Sequence, residues 1–287
     1  MTPKSQKHWT GDVSSLLRVR PGFRLDRVDA EATPGYGRRK KDSVDDLVAG
    51  ADELSELQER LYAASRVEAS DAAVLLVLQA MDTAGKGGII RHVVGSVDPQ
   101  GIQLAAFKKP TDDELARDFL WRVRSRLPEP GMIGVFDRSH YEDVLIGEVR
   151  QLAPADEIER RYGAINDFER EVSDAGTRIV KVMLHISSGE QRDRLEERLD
   201  RADKQWKYHP GDVDERMLWP AYMDAYQTVF DRTSTPHAPW YVVPANRKWY
   251  ARLAVQSLLL DALLDIGPRW PAATYDVEAE RERLRAT

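Results

Sequence analysis

The 287-residue chain contains no cysteine, which excludes a disulfide framework, a thiolate metal site and a cysteine nucleophile. It also lacks a long hydrophobic run: its most apolar stretches, residues 74–78 and 258–260, are far too short to cross a bilayer. The first residues, MTPKSQKHWTGD, have no apolar segment of the secretory type. A soluble, cytoplasmic protein without a membrane partner is the expectation. An excess of positive charge is missing too, since the formal net charge is −6, and this argues against a nucleic-acid partner. Basic residues nevertheless gather at 38–41, at Lys108 and Lys109, and along 192–207. Local basic patches on a mildly acidic chain suit a small or linear polyanion held in a groove.

With 42% hydrophobic and 31% charged residues, the chain can bury one large core, so one domain with accessories is expected. Residues 1–43 are rich in Pro, Gly, Lys and Arg without a sustained period; they are read as an arm around the domain 44–287, in part unordered. A helix is expected from Ser43 as N-cap, with Asp46 closing a near capping box. Leu47, Ala51, Leu54, Leu57 and Leu61 then form its apolar stripe. Strands are expected at 74–78, 102–107, 132–136, 178–186 and 240–243. Helices are expected at 112–126 (Leu115, Phe119 and Val123 on one face), 139–149, 154–173, 189–201, 214–231 and 245–265. No internal repeat interrupts this alternation, which predicts an α/β fold: a three-layer parallel sheet with helices on both faces.

The segment VLLVLQAMDTAGKGGIIRHVVG (74–95) carries the chemistry. A buried strand, a glycine-containing turn with a lysine and a helix start together make a phosphate cradle. Against the pattern G-x-x-x-x-G-K-[ST], Gly85 and Lys86 match, Ala80 replaces the first glycine, and Gly87, followed by Gly88, replaces the hydroxyl residue that helps hold Mg²⁺. Asp82 within the loop can take over that duty, because a carboxylate is a good ligand for a hard cation. Arg91 falls on the following helix, where it could meet a distal phosphate or simply face solvent; His92 is read as a packing residue. The run MIGVFDRSHYEDVLIGEV (132–149) places Asp137 at a strand tip, the usual position of the second carboxylate of such a site. Asp137 could equally cap the next helix. Arg138 is a candidate for stabilising transferring charge, and Tyr141 and Glu142 are acceptor-side candidates. Residues 188–213 read as a lid whose Arg194, Arg198 and Arg201 recur on one helix face, continued by Lys204 and Lys207; an ion-paired surface helix is the ordinary alternative. Lys108, with Lys109, would face the same sheet edge. Trp206, Trp219, Trp240 and Trp249 are read as packing anchors.

Taken in order, AMDTAGKGGIIRHV, DPQGIQLAAFKKPT, DFLWR, GVFDRSHYEDVL, KQWKYHPGD and APWYVVPANRKWYARLAV resemble the polyphosphate kinase type 2 family over about residues 40–265, most of all its one-domain, class III-like branch. The resemblance implies a P-loop kinase core of thymidylate-kinase type with a helical lid. It implies transfer of the terminal phosphoryl group of inorganic polyphosphate to AMP or ADP, reversibly, giving ADP or ATP. It implies Mg²⁺ (with Mn²⁺ as a substitute) and a homo-oligomer, dimer or tetramer, for which Leu253, Val255, Leu258, Leu259 and Leu260 could supply apolar contact. The family's loop carboxylate and lysine fall on Asp82 and Lys86, its second aspartate and arginine on Asp137 and Arg138, its helix arginine on Arg91, and its lid basics on Arg194, Arg198, Lys204 and Lys207. Asp82 and Asp137 are thus the expected metal ligands. Members often carry a proline before the lid lysine; here Ala202 and Asp203 occupy that stretch. An ATP-dependent nucleoside-monophosphate kinase is the competing enzyme reading, and a nucleotide- or polyphosphate-binding regulator without turnover is the third.

Overall fold

Strand β1 (Ala73–Gln79) is buried along its whole length, as a continuous aliphatic run predicts for a strand covered on both faces. Its side chains alternate between two cores. Val74, Leu76 and Leu78 enter one, while Leu75 and Val77 enter the other. β2 (Ile102–Ala106), β3 (Ile133–Asp137), β4 (Thr177–His185) and β5 (Trp240–Pro244) complete the sheet. The order is β2-β3-β1-β4-β5 and every pairing is parallel, so all strands point their C-terminal ends to one edge. From β1 the chain builds first to one side and then to the other, which leaves a crevice at that edge where such folds bind ligands. The computed structural model describes residues 7–287.

On one face lie α1 (Val13–Leu17), α2 (Ser43–Arg66), α3 (Lys86–His92) and α11 (Lys248–Ile266). On the other lie α5 (Trp121–Arg124), α6 (Glu142–Val149), α7 (Ala155–Asp174) and α10 (Trp219–Thr233). The remaining helices are α4 (Asp112–Leu115), α8 (Ser188–Asp200), α9 (Gly211–Met217) and α12 (Val277–Arg285). Leu253, Val255, Leu258, Leu259 and Leu260 are all core residues of this chain, so they offer no free surface to a second copy.

Several elements differ from the sequence reading. Ser43 is the first residue of α2, and its hydroxyl donates to the Lys40 carbonyl; no capping box forms there, because Asp46 is taken by the Tyr36 hydroxyl (2.7 Å) and Arg38 (2.6 Å). The expected helix 112–126 is two short ones: the Asp118 carboxylate accepts from the Leu120 N–H, a local bond that competes with continuous helix. Leu115, placed on its buried face, is exposed. The helix expected over 214–231 breaks at Leu218, because Pro220 lies in the first turn of α10 and supplies no N–H to a helix continuing through it. α12 was not expected. Trp206 is exposed rather than an anchor, whereas Trp240 is fully buried. Within the arm, Val13, Leu17 and Tyr36 join one core and Val19 and Leu25 the other, and Arg18 bridges to Tyr241. The disorder expected in part of the arm finds no counterpart over residues 7–43; residues 1–6 lie outside the described part.

Candidate active site

β1 ends at Gln79 and the chain must turn sharply at the sheet edge. Thr83 (φ +66°) and Gly85 (φ +118°) adopt left-handed backbone, and Gly85 stands at the N-cap of α3. That conformation disfavours a Cβ, so glycine is required by the turn itself. A Cβ at Gly85 or Gly87 would meet nothing within 4 Å, so the space above the loop is open. Lys86 arches across its own loop, Nζ donating to the Ala80 carbonyl at 3.1 Å.

β3 brings the second half. Its Asp137 sits opposite Leu78 in the register, and the next residue, Arg138, donates its N–H to the Leu78 carbonyl at 3.1 Å. Arg138 has φ +63°, a left-handed conformation that costs on the order of 1–3 kcal/mol in a residue with a side chain. From there its guanidinium meets Asp82 at 3.1 Å and approaches Glu142 at 3.9 Å. Burial works against the Arg138 charge, but Glu142, Asp82 and Asp137 outweigh it and hold the group above its ordinary value. Burial pushes the Glu142 carboxyl up, opposed by Arg138 and Lys86. The Gln79 amide, with its NH₂ turned toward Glu142, donates to Oε1 at 2.9 Å and accepts from Ser139.

Asp82 and Arg138 stand between two cavities. The larger, about 570 Å³, is lined by Gly85, Lys86, Gly87, Gly88, Arg91, His92 and Asp137, with Arg198, Lys204 and Lys207 from α8 and the segment after it. Lys248 and Arg252 of α11 complete it. The smaller, about 120 Å³, is lined by Met81, Glu142, Leu145, Ile146, Glu215, Tyr222 and Tyr226. No Phe, Tyr or Trp lines the larger one.

Four candidates are placed elsewhere. Arg194 is buried and faces the protein: its guanidinium donates to the carbonyls of Thr83, Ala84, Ala245 and Asn246 at 2.8–3.0 Å and to Glu190 at 2.6 Å. It braces the phosphate loop from behind and leaves no donor for a substrate. Arg201 points to solvent and pairs with Asp203 and Glu197. Tyr141 is fully buried and bonds Glu169 and Lys181, so it cannot reach an acceptor. Lys108 and Lys109 are exposed and line neither cavity. Arg194→Lys is expected to cost about 2 kcal/mol in urea denaturation, because an ammonium cannot reproduce the planar fork; an unchanged midpoint would refute the bracing role.

Lys248 and Arg252 were missed. Their signal was present in ANRKWYARLAV: two cations four residues apart on the helix that follows the last strand's C-terminal end. Asp212 was missed as well; it pairs with Arg198 at 3.4 Å, and burial followed by the field of Asp82 pushes its carboxyl up. Among the described residues no cluster of three His, Cys, Asp or Glu could hold a metal ion. Asp82 and Asp137 line one cavity, and that donor set fits a hard divalent cation of the Mg²⁺ kind, which takes one or two carboxylates and fills its remaining positions with water and phosphate oxygens.

Residues 38–268 match the family model described as Polyphosphate kinase 2 (PPK2). The chain is 44% identical over 256 residues to an AMP/ADP-polyphosphate phosphotransferase of Meiothermus ruber, covering 88% of this chain and 94% of that one. It is 43% identical over 244 residues to an ADP-polyphosphate phosphotransferase of Rhodopseudomonas palustris, covering 81% and 83%. The crystal structure of a polyphosphate kinase 2 from Arthrobacter aurescens TC1 superposes with a TM-score of 0.95 at 55% identity, over 97% of this chain and 98% of that one.

Proposed function

The chain belongs to the polyphosphate kinase 2 family, enzymes of polyphosphate-dependent nucleotide phosphoryl transfer, and we propose that it moves the terminal phosphoryl group of inorganic polyphosphate reversibly to both AMP and ADP. One observation carries the assignment of sides: Asp82 and Arg138 separate a large cationic cavity without aromatic rings from a small one with two tyrosines. The first suits a chain of phosphates and gives a nucleobase nothing to stack on. The second suits the acceptor, with Tyr222 and Tyr226 as apolar walls and Glu142 and Glu215 as polar groups.

In this reading Lys86 and the loop N–H groups neutralise the donor's terminal phosphates, and Arg198, Lys204 and Lys207 close over them as a lid over residues 188–213. The attacking oxygen is a phosphate oxygen of the nucleotide, already anionic at neutral pH, so no general base is needed. It bonds to the terminal phosphorus as the P–O bond to the rest of the chain breaks, and the shortened polyphosphate leaves with the electron pair. Arg138 contacts charge as it spreads over the transferring group. A Mg²⁺ or Mn²⁺ ion held by Asp82 and Asp137 would supply further neutralisation between donor and acceptor oxygens. A homo-oligomer belongs to the same reading, and sedimentation tests it.

A donor swap decides between this reading and an ATP-dependent kinase. ADP incubated with long-chain polyphosphate and Mg²⁺, with no ATP added, is expected to yield ATP as the polymer shortens. Turnover that requires ATP as donor would refute the assignment.

A further inference from the structure

Two of the four arginines in the larger cavity have no counter-charge. Arg138 and Arg198 face Asp82 and Asp212. Arg91, in the last turn of α3, and Arg252, on α11, have no acid at ion-pair distance among the described residues, although Arg252 is partly buried. Nη2 of Arg252 lies 3.8 Å from the point where a Cβ of Gly88 would stand. A longer side chain there would meet the guanidinium, so the third loop glycine makes room for it. Burial, then repulsion from Arg91, draws Arg252 below its ordinary value, and burial with both arginines does the same to His92. Like charges held together in a partly dehydrated site destabilise a fold unless an anion offsets them.

Position says which anion. Asp82, Asp137 and Arg138 come from the phosphate loop and the tip of β3, where the transferred group belongs. Arg91 lies about 7.5 Å farther along α3 than Lys86, by helical rise, and Arg252 approaches from the opposite wall. We propose that Arg91 and Arg252 form a distal phosphate subsite that grips an internal phosphate of the donor chain, so that the enzyme favours long polyphosphate over short. This rests on the donor assignment above. Guanidinium forks match phosphate oxygens, and an internal phosphodianhydride unit offers two of them.

The test compares kcat/KM for long-chain polyphosphate and for tripolyphosphate. In Arg252→Gln and Arg91→Gln the long-to-short ratio is expected to fall about tenfold, the worth of one charge-assisted contact, and Arg252→Lys should restore part of it. Lys86→Gln, which acts at the terminal phosphates, should depress both donors and leave the ratio in place. Equal losses on both donors, or an unchanged ratio, would overturn the subsite. Arg91 is exposed, so its variant keeps the test valid if Arg252→Gln unfolds. An unsubstituted enzyme that turned over no polyphosphate at all would overturn the donor assignment itself, and the subsite with it.

Discussion

Asp82→Asn is expected to lower kcat by about 100- to 1000-fold, the scale on which one preorganised transition-state contact acts. Asp82 lines both cavities, pairs with Arg138 at 3.1 Å, and is one of two carboxylates suited to the divalent cation. The amide keeps the shape and removes the charge. Affinity for the cation should weaken with it, so the activity of the variant should rise with added Mg²⁺ far beyond the point where the parent saturates. Stability should change by less than about 1 kcal/mol, since the carboxylate is only partly buried and its ion pair faces solvent. A folded variant with near-normal turnover would remove Asp82 from the chemistry.

Lys181→Met should destabilise the fold by about 3–5 kcal/mol in urea denaturation. Lys181 is fully buried on the central sheet, and its ammonium donates to Glu169 at 2.6 Å, to the Tyr141 hydroxyl at 2.8 Å and to the Thr233 carbonyl at 2.8 Å. Glu169 also accepts from the Tyr141 hydroxyl at 2.7 Å and faces His140 at 3.3 Å. Methionine fills the space and leaves a carboxylate without its cation in the core. Replacing both, with Lys181→Met and Glu169→Leu together, should recover most of the loss; without recovery the unpaired-charge explanation fails. Burial raises the Glu169 carboxyl, yet Lys181 and His140 bring it below its ordinary value. Its contribution is therefore complete above the usual glutamate range, near about pH 4.3, and disappears as acid titrates it through the lower folded value. Tyr141 and His140 follow Arg138 in the chain, so this network also supports the turn that aims the guanidinium.

The sheet was legible because each strand is a short apolar or β-branched run bounded by turn residues, and the five expected strands coincide with β1 to β5 to within a residue or two. The meeting of Asp82, Lys86, Asp137 and Arg138 followed from two strand tips at one sheet edge. Arg194 was misread because helical spacing reports a shared face and says nothing of what that face meets. At its root α8 lies against the loop, so Arg194 is buried; a turn later Arg198 reaches the cavity, and Arg201 faces water. Tyr141 was misread for a related reason: the turn after Asp137 buries alternate residues, and only Arg138 and Glu142 emerge into the cavities. Pro220 was a visible stop signal that the reading passed over.

Arg194 also sets where movement can begin. Its guanidinium ties the first turns of α8 to the nucleotide-independent scaffold on two sides, the chain after β1 and the chain after β5. Swinging the whole helix outward would strand those four carbonyls together with a dehydrated cation. The pivot for admitting and releasing a polymer therefore lies past Arg194, in the stretch that carries Arg198, Lys204 and Lys207 but not in the anchorage beneath it.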